Sequence, residues 1–456
     1  MSSSGLDAAV AKMRAEGLGD AAVESFARQY RRLSEGETGT LPEADIEPVA
    51  ELPHAEDLTA EADAALLDEA VVIKLNGGLG TGMGMTKAKS LLEVKDGMTF
   101  LDLIAEQILE LRDRSGARLP LILMNSFATR DDSLGALERY DDLSAGLPAD
   151  FVQNKVPKIR ADDLEPAAWP DDPALEWAPP GHGDLYTALV TSGMLEALLG
   201  EGYRYAFVSN SDNLGAVLDP RILAWFADSA APFLMEVADR TSSDRKGGHL
   251  ARRRTDGGLV LREIAQTPDE DVDAFQDTSR HKYFNTNTLW VDLQALRDVL
   301  SGAGVIDLPM IVNRKTVDPG DKGSTPVIQL ETAMGAAIGV FDGAAALRVP
   351  RSRFVPVKAT NDLLSLRSDA YVIGAGHAVH LAPEREGVPP FVDLDSDYYK
   401  LVGDFDARFA KGAPSLIACD ALRVVGDVTF GADVVVRGDV TVEGVDAVPD
   451  GTVLEG

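Results

Sequence analysis

The chain changes its hydrophobic rhythm twice. Residues 8–15 and 21–33 set apolar side chains at helical spacing, and an acidic, proline-containing stretch follows from Gly36 to Asp57. From Val71 the period shortens. Val71–Leu75 is a largely β-branched apolar run, the length of a strand buried on both faces. Thr99 and Asp102 read as a capping box ahead of a helical stripe of Leu101, Ile104, Ala105, Ile108 and Leu111. Leu119–Met124 and Tyr205–Ser209 are further strands, the second running into the polar cluster Asn210-Ser211-Asp212. Strands alternating with helices predict an α/β fold with a doubly wound, mostly parallel sheet. Near the end the rhythm changes again: Leu422, Val428, Val434 and Val440 each lead a six-residue unit, which predicts a small parallel β-helix. The expected organisation is a helical segment over 1–60, an α/β domain over 61–358, a connecting region over 359–415 and β-helix-like repeats over 416–456.

Composition narrows the setting. A chain of 456 residues exceeds one ordinary core, and 45% hydrophobic content suits a globular protein. No apolar run approaches the ~20 residues that span a bilayer. The opening Met-Ser-Ser-Ser-Gly-Leu-Asp has neither the basic nor the apolar region of a secretory signal, so the expected location is cytoplasmic. Cys419 is the single cysteine, which excludes an intrachain disulfide and a thiolate zinc cluster. The net charge of −31 argues against nucleic acid and anionic membranes as partners, since both demand a basic face. Any anion site must therefore be locally basic, which gives weight to lysines inside motifs.

The strand at Val71 ends in such a place. Five glycines lie between Gly77 and Gly84, and Lys87 and Lys89 follow. Glycines let the backbone turn its N–H groups onto an anion, and the carboxyl end of a strand is where open α/β sheets bind ligands. Neither common phosphate motif fits. Met83 follows Gly82 where a Gly-Lys-Ser/Thr would be needed, and Met85 occupies the third glycine of Gly-x-Gly-x-x-Gly. At the end of another strand, Asp212 has the setting of a Mg²⁺ ligand beside phosphates, or alternatively of an Asx turn.

Six segments, in order, resemble one family: Leu75-Asn-Gly-Gly-Leu-Gly-Thr with Lys89-Ser90, Pro180-Gly-His-Gly-Asp184, Phe207–Gly215, Phe284-Asn-Thr-Asn287, Ile328–Thr332 and Val349–Lys358. The family is UTP–glucose-1-phosphate uridylyltransferase of the eukaryotic kind, and the likeness runs from about residue 60 to the C-terminus. It implies a sheet of the nucleotide-diphospho-sugar transferase type. It also implies UTP and glucose 1-phosphate as substrates and Mg²⁺ as cofactor. Carried over residue by residue, Leu75, Asn76, Gly77, Gly78, Gln153 and Gly181 hold the nucleotide, with Lys89 on its phosphates. Asp212 takes the metal and contacts both nucleotide and sugar phosphate, and Lys358, also on the nucleotide, matches the catalytic lysine, with Lys89 as the second catalytic residue. His182, Asn210, Ser211, Asn285, Asn287 and Glu331 fall to the sugar phosphate, together with Gly77 and Gly78. Self-association through the C-terminal region is the homo-oligomer expectation. Two departures are visible: Ala88 stands where relatives have proline, implying a looser loop, and Thr288 where they have asparagine. The same motifs would serve an enzyme that transfers UMP to N-acetylglucosamine 1-phosphate or to many sugar phosphates. A catalytically silent nucleotide-sugar sensor is the other class, and the joint presence of Lys89, Asp212 and Lys358 counts against it.

Overall fold

Two helices, α1 (Ser3–Ala15) and α2 (Asp20–Ser34), open the computed structural model, which describes residues 3–456. The strands and helices that position the site then follow: β1 (Ile46–Pro48), β2 (Ala70–Asn76), α3 (Phe100–Ser115), β3 (Leu121–Asn125), β4 (Asp150–Val152) and α4 (Asp184–Thr191). Next come β5 (Tyr205–Asn210), β6 (Phe233–Asp239), β7 (His249–Arg253), β8 (Leu259–Arg262) and β9 (Tyr283–Asp292). The last of this part are β10 (Met310–Thr316), β11 (Pro326–Thr332) and β12 (Ala345–Arg348).

Strands β5, β2, β3 and β4 lie side by side and parallel. Strand β9 joins β5 antiparallel and extends the sheet toward β6 and β7, while β12 is again parallel to β6. The outcome is the expected α/β sheet, parallel at the centre, with an antiparallel strand let into one half. Successive residues of β2 serve opposite faces, as strand geometry requires. Val72 packs with Phe100, Leu101 and Ile104 of α3, whereas Val71 and Ile73 pack with Leu185 and Tyr186 of α4. Cover on both faces explains why that strand reads as continuous apolar sequence. The α3 N-terminus carries the predicted capping box: the Asp102 N–H donates to Thr99 Oγ1 at 3.1 Å, and the Thr99 N–H donates to Asp102 Oδ2 at 2.9 Å.

The first 60 residues do more than precede the sheet. Phe26 and Tyr30 of α2 share a core with Ile328 and Leu330 of β11, and β1 pairs with β7 as an edge strand of the main sheet. At the other end, β13 (Phe391–Leu394), β14 (Ser415–Val424), β15 (Val435–Val442) and β16 (Val453–Glu455) form a parallel sheet. Leu422 pairs with Val440, Thr429 with Ala447 and Val435 with Val453, so three six-residue units make one coil. Strand β13 adds to this sheet from the sequence that precedes the repeats.

Candidate active site

The carboxyl ends of the parallel strands open into a cleft of about 880 Å³. Leu75, Gly77 and Gly78 line it from β2, Met124 from β3, and Gln153 from just beyond β4. Pro179, Gly181 and His182 reach it from the approach to α4, and Asn210, Ser211 and Asp212 from the end of β5. Lys89 completes the lining. Six separated stretches of chain thus meet where the topology of open α/β sheets places a ligand.

Gly181 cannot carry a side chain without a backbone clash, and Gly77 leaves room for the end of a neighbouring one. At Gly77 a Cβ would lie 2.9 Å from Gln153 Oε1, and at Gly181 (φ +79°) it would lie 2.4 Å from the Thr332 carbonyl oxygen. Gln153 donates from Nε2 to the Gly181 carbonyl at 3.1 Å, bridging the two glycine segments across the cleft. The Lys89 N–H donates to the Gly78 carbonyl at 3.0 Å and brings its own side chain back over the loop. Ala88 has φ −53°, inside the range proline would impose, so the loop keeps the shape that a proline would pre-set.

The electrostatics centre on one pair. Lys89 Nζ donates to Asp212 Oδ2 at 2.6 Å and also to the Val357 carbonyl. The two side chains are 15% and 25% exposed, so the pair can be reached from the cleft. Asp212 is the only carboxylate in the lining, and among the described residues no group of three or more His, Cys, Asp or Glu converges. That donor set does not make an all-protein cage. It suits a hard ion such as Mg²⁺, which takes one or two carboxylates and completes its shell with phosphate oxygens and water.

His182 is held neutral. Its Nδ1 accepts the Met334 N–H at 3.0 Å, which fixes the tautomer with the proton on Nε2, and burial pushes its pKa down to about 4. Beside it, Asp184 accepts from the Asn154 N–H at 2.6 Å and from Asn154 Nδ2 at 3.0 Å, tying the loop to the segment of Gln153.

Other residues expected from sequence stand elsewhere. The Asn76 side chain is buried on the far side of β2, where Nδ2 donates to Asn125 Oδ1 at 2.8 Å and Ser133 Oγ at 2.7 Å. Any contact of Asn76 with a nucleotide would come from its backbone. Asn285 and Asn287 bond each other across a bulge in β9, where Val237 pairs with Asn285 and Glu236 with Thr288. Asn287 sits at φ +56°. The bulge turns Thr286 inward, its Oγ1 donating to the Glu236 carbonyl at 2.7 Å. Thr288 is fully buried, so the departure there faces the core. Glu331 lies behind Gly181, its Cβ 3.1 Å from where a Gly181 Cβ would be. Lys358 is exposed, with Nζ 5.7 Å above the Phe354 ring, one residue past the Val357 carbonyl that receives Lys89. Asn76, Asn285, Asn287, Glu331 and Lys358 do not line the cleft itself. Met124 and Pro179 do, and sequence reasoning passed over both. Met124 ends a predicted strand next to the glycine loop, so the strand-end rule alone pointed to it.

A parallel sheet whose strand ends gather a glycine loop, a paired lysine and carboxylate and a neutral histidine defines a nucleotide-binding α/β protein built around phosphate chemistry. The chain belongs to the UTP–glucose-1-phosphate uridylyltransferase family, whose profile matches residues 23–437. It is 44% identical over 408 residues to the UTP–glucose-1-phosphate uridylyltransferase of Hordeum vulgare, covering 88% of this chain and 84% of that one. It is 41% identical over 394 residues to the protein of the same name from Saccharomyces cerevisiae, covering 85% and 77%. Among solved structures, a point mutant of UDP-glucose pyrophosphorylase from Leishmania major in complex with UDP-glucose superposes with a TM-score of 0.94 at 47% identity, over 100% of this chain and 99% of that one.

Proposed function

We propose that the protein is a uridylyltransferase that converts UTP and glucose 1-phosphate to UDP-glucose and pyrophosphate. The observation that carries the reading is the convergence of Gly77, Gly78, Lys89, Gln153, His182 and Asp212 on one cleft. The cleft belongs to a chain whose relatives bear that activity in their names.

In this reading a phosphate oxygen of the sugar attacks the α-phosphorus of UTP in line, and pyrophosphate leaves. Such a reaction asks for positioning and charge neutralisation rather than a protein nucleophile. Gln153 offers an amide donor and acceptor to the imide edge of uracil, and the bare backbone of Gly77 and Gly78 lets the nucleotide lie close. Lys89 gives up part of its bond to Asp212 to meet the phosphates. The His182 Nε2–H donates to the sugar phosphate without adding a proton, because the ring is neutral throughout the working range. Lys358 takes the charge that builds where the two phosphates meet, and Asn285, Asn287 and Glu331, which stand outside the cleft lining, are assigned to the sugar hydroxyls on the likeness to relatives alone. Asp212 would hold Mg²⁺, which supplies Lewis-acid stabilisation of phosphate oxygens when bound. The substrates are small and soluble, and no helix among the described residues is long and apolar enough to cross a membrane, which suits a cytoplasmic enzyme. Release of pyrophosphate from UTP that depends on glucose 1-phosphate tests the reading. No release with any sugar 1-phosphate would return the chain to the sensor class.

A further inference from the structure

A seam of hydrogen bonds joins residues 212–217 to residues 351–357, the segment that leads into Lys358. Asn213 Oδ1 accepts the Val355 N–H at 2.8 Å, and its Nδ2 donates to the Arg353 carbonyl at 3.1 Å. The Val357 N–H donates to the Asp212 carbonyl at 3.2 Å. Gly215 permits the approach, since a Cβ there would lie 2.4 Å from the Ser352 carbonyl oxygen.

Under the seam lies an ion pair withdrawn from water. Glu236, in the middle of β6, is 0% exposed. Its Oε2 accepts Arg353 Nε at 2.7 Å, and its Oε1 accepts Arg353 Nη2 at 2.8 Å and Trp290 Nε1 at 2.9 Å. Arg353 Nη2 also donates to the Val217 carbonyl at 2.9 Å. A forked guanidinium on a carboxylate fixes both distance and angle, which a lysine or an apolar pair does not. Net stability is a weak reason for such a pair, because desolvating two charges largely cancels their attraction. What it supplies is a fixed direction for the segment that ends in the Val357 carbonyl, the Phe354 ring and Lys358.

We propose that Glu236, acting through Arg353, is a positioning residue for the reaction, setting Lys358 and the Val357 carbonyl against the Lys89–Asp212 pair. The inference rests on the reading of Lys358 given above. Glu236 is fully buried and does not line the cleft. Glu236→Gln keeps the volume but turns an amide N–H toward donors, so the fork opens and the segment shifts. A misplacement of about 1 Å costs up to about a hundredfold in rate.

The test is a double-mutant cycle of Glu236→Gln with Lys358→Ala, reading kcat, the KM for UTP and Tm on the full chain. Glu236→Gln alone is expected to lower kcat about 10- to 100-fold with the UTP KM within about threefold. On the Lys358→Ala background it is expected to lower kcat less than about twofold, because the positioned group is already gone. Arg353→Lys, which keeps the charge and loses the fork, is expected to behave the same way and replaces Glu236→Gln if that variant does not fold. An equal fall in kcat on both backgrounds, or a raised KM at unchanged kcat, would overturn the inference alone. A Lys358→Ala protein with normal turnover would overturn the reading of Lys358, and the inference with it.

Discussion

At the scale of single residues, Asp212 and Lys89 are each other's partner before any substrate arrives. Asp212→Asn keeps the shape of the side chain and removes its charge. The fold is expected to survive while Mg²⁺-dependent turnover drops by at least about a hundredfold. Near-normal turnover at limiting Mg²⁺ would take the metal away from Asp212. Lys358 makes no ion pair among the described residues, which leaves its charge available. If that charge acts on the transition state, Lys358→Ala lowers kcat far more than it raises the UTP KM. An unchanged kcat with a raised KM would assign Lys358 to ground-state binding. Here the sequence spoke unevenly. Glycine spacing and the likeness to relatives marked Gly77, Gly181, His182 and Asp212, because backbone shape and a lone charge at a strand end leave a trace in sequence. The direction in which Asn76 points leaves none, since it depends on partners at Asn125 and Ser133 far along the chain.

At the scale of elements, the strands were legible because burial on both faces writes itself as apolar runs. β2 and β5 appear at the predicted places, with one more residue at the ends. One charge interrupts such a run. Lys74 is 2% exposed, donating to Ser209 Oγ and the Ala216 carbonyl at 2.7 Å each, with burial driving its pKa down to about 7. Its folded pKa lies below the unfolded value near 10.4, so between those limits the unfolded chain binds more protons and stability rises with pH. Lys74→Met removes that slope. Urea denaturation at pH 7 and pH 9.5 is expected to show the wild-type protein gaining stability relative to the variant at the higher pH. A pH-independent difference would mean Lys74 keeps an ordinary pKa. The capping box offers a second check at this scale. Thr99→Ala is expected to cost about 0.5–2 kcal/mol, measured by the same denaturation, with no change in kcat. Glu236 belongs here too. A single Glu in Phe233–Asp239 is an anomaly in a buried strand, and its partner Arg353, 117 residues away, could not be paired with it from sequence alone.

At the scale of the molecule, the predicted division into segments meets a core that ignores some of the divisions. Val72 of the nucleotide-binding sheet, Leu364 of the connecting region and Leu422, Val436 and Val448 of the repeats belong to one continuous apolar cluster. The period of six gave the coil, but nothing in it announced that β13 would join from outside the repeat. Removing residues 415–456 would expose buried Leu364 and Tyr399 together with their neighbours. The truncated chain is expected to melt lower and aggregate, while whatever stays soluble still binds UTP, because every proposed ligand lies upstream. Soluble, monodisperse truncated protein without UTP binding would contradict that division of labour.

The measurement that bears most directly on the account is steady-state pyrophosphate release from UTP, with kcat/KM determined for glucose, galactose and N-acetylglucosamine 1-phosphates. The account predicts Mg²⁺-dependent release with glucose 1-phosphate. It predicts galactose 1-phosphate about 10- to 100-fold poorer, because one inverted hydroxyl leaves a buried polar partner unpaired. N-acetylglucosamine 1-phosphate, which needs room for an acetamide, is predicted to be poorer still. Equal kcat/KM for the glucose and galactose compounds, or no pyrophosphate with any of the three, would contradict it.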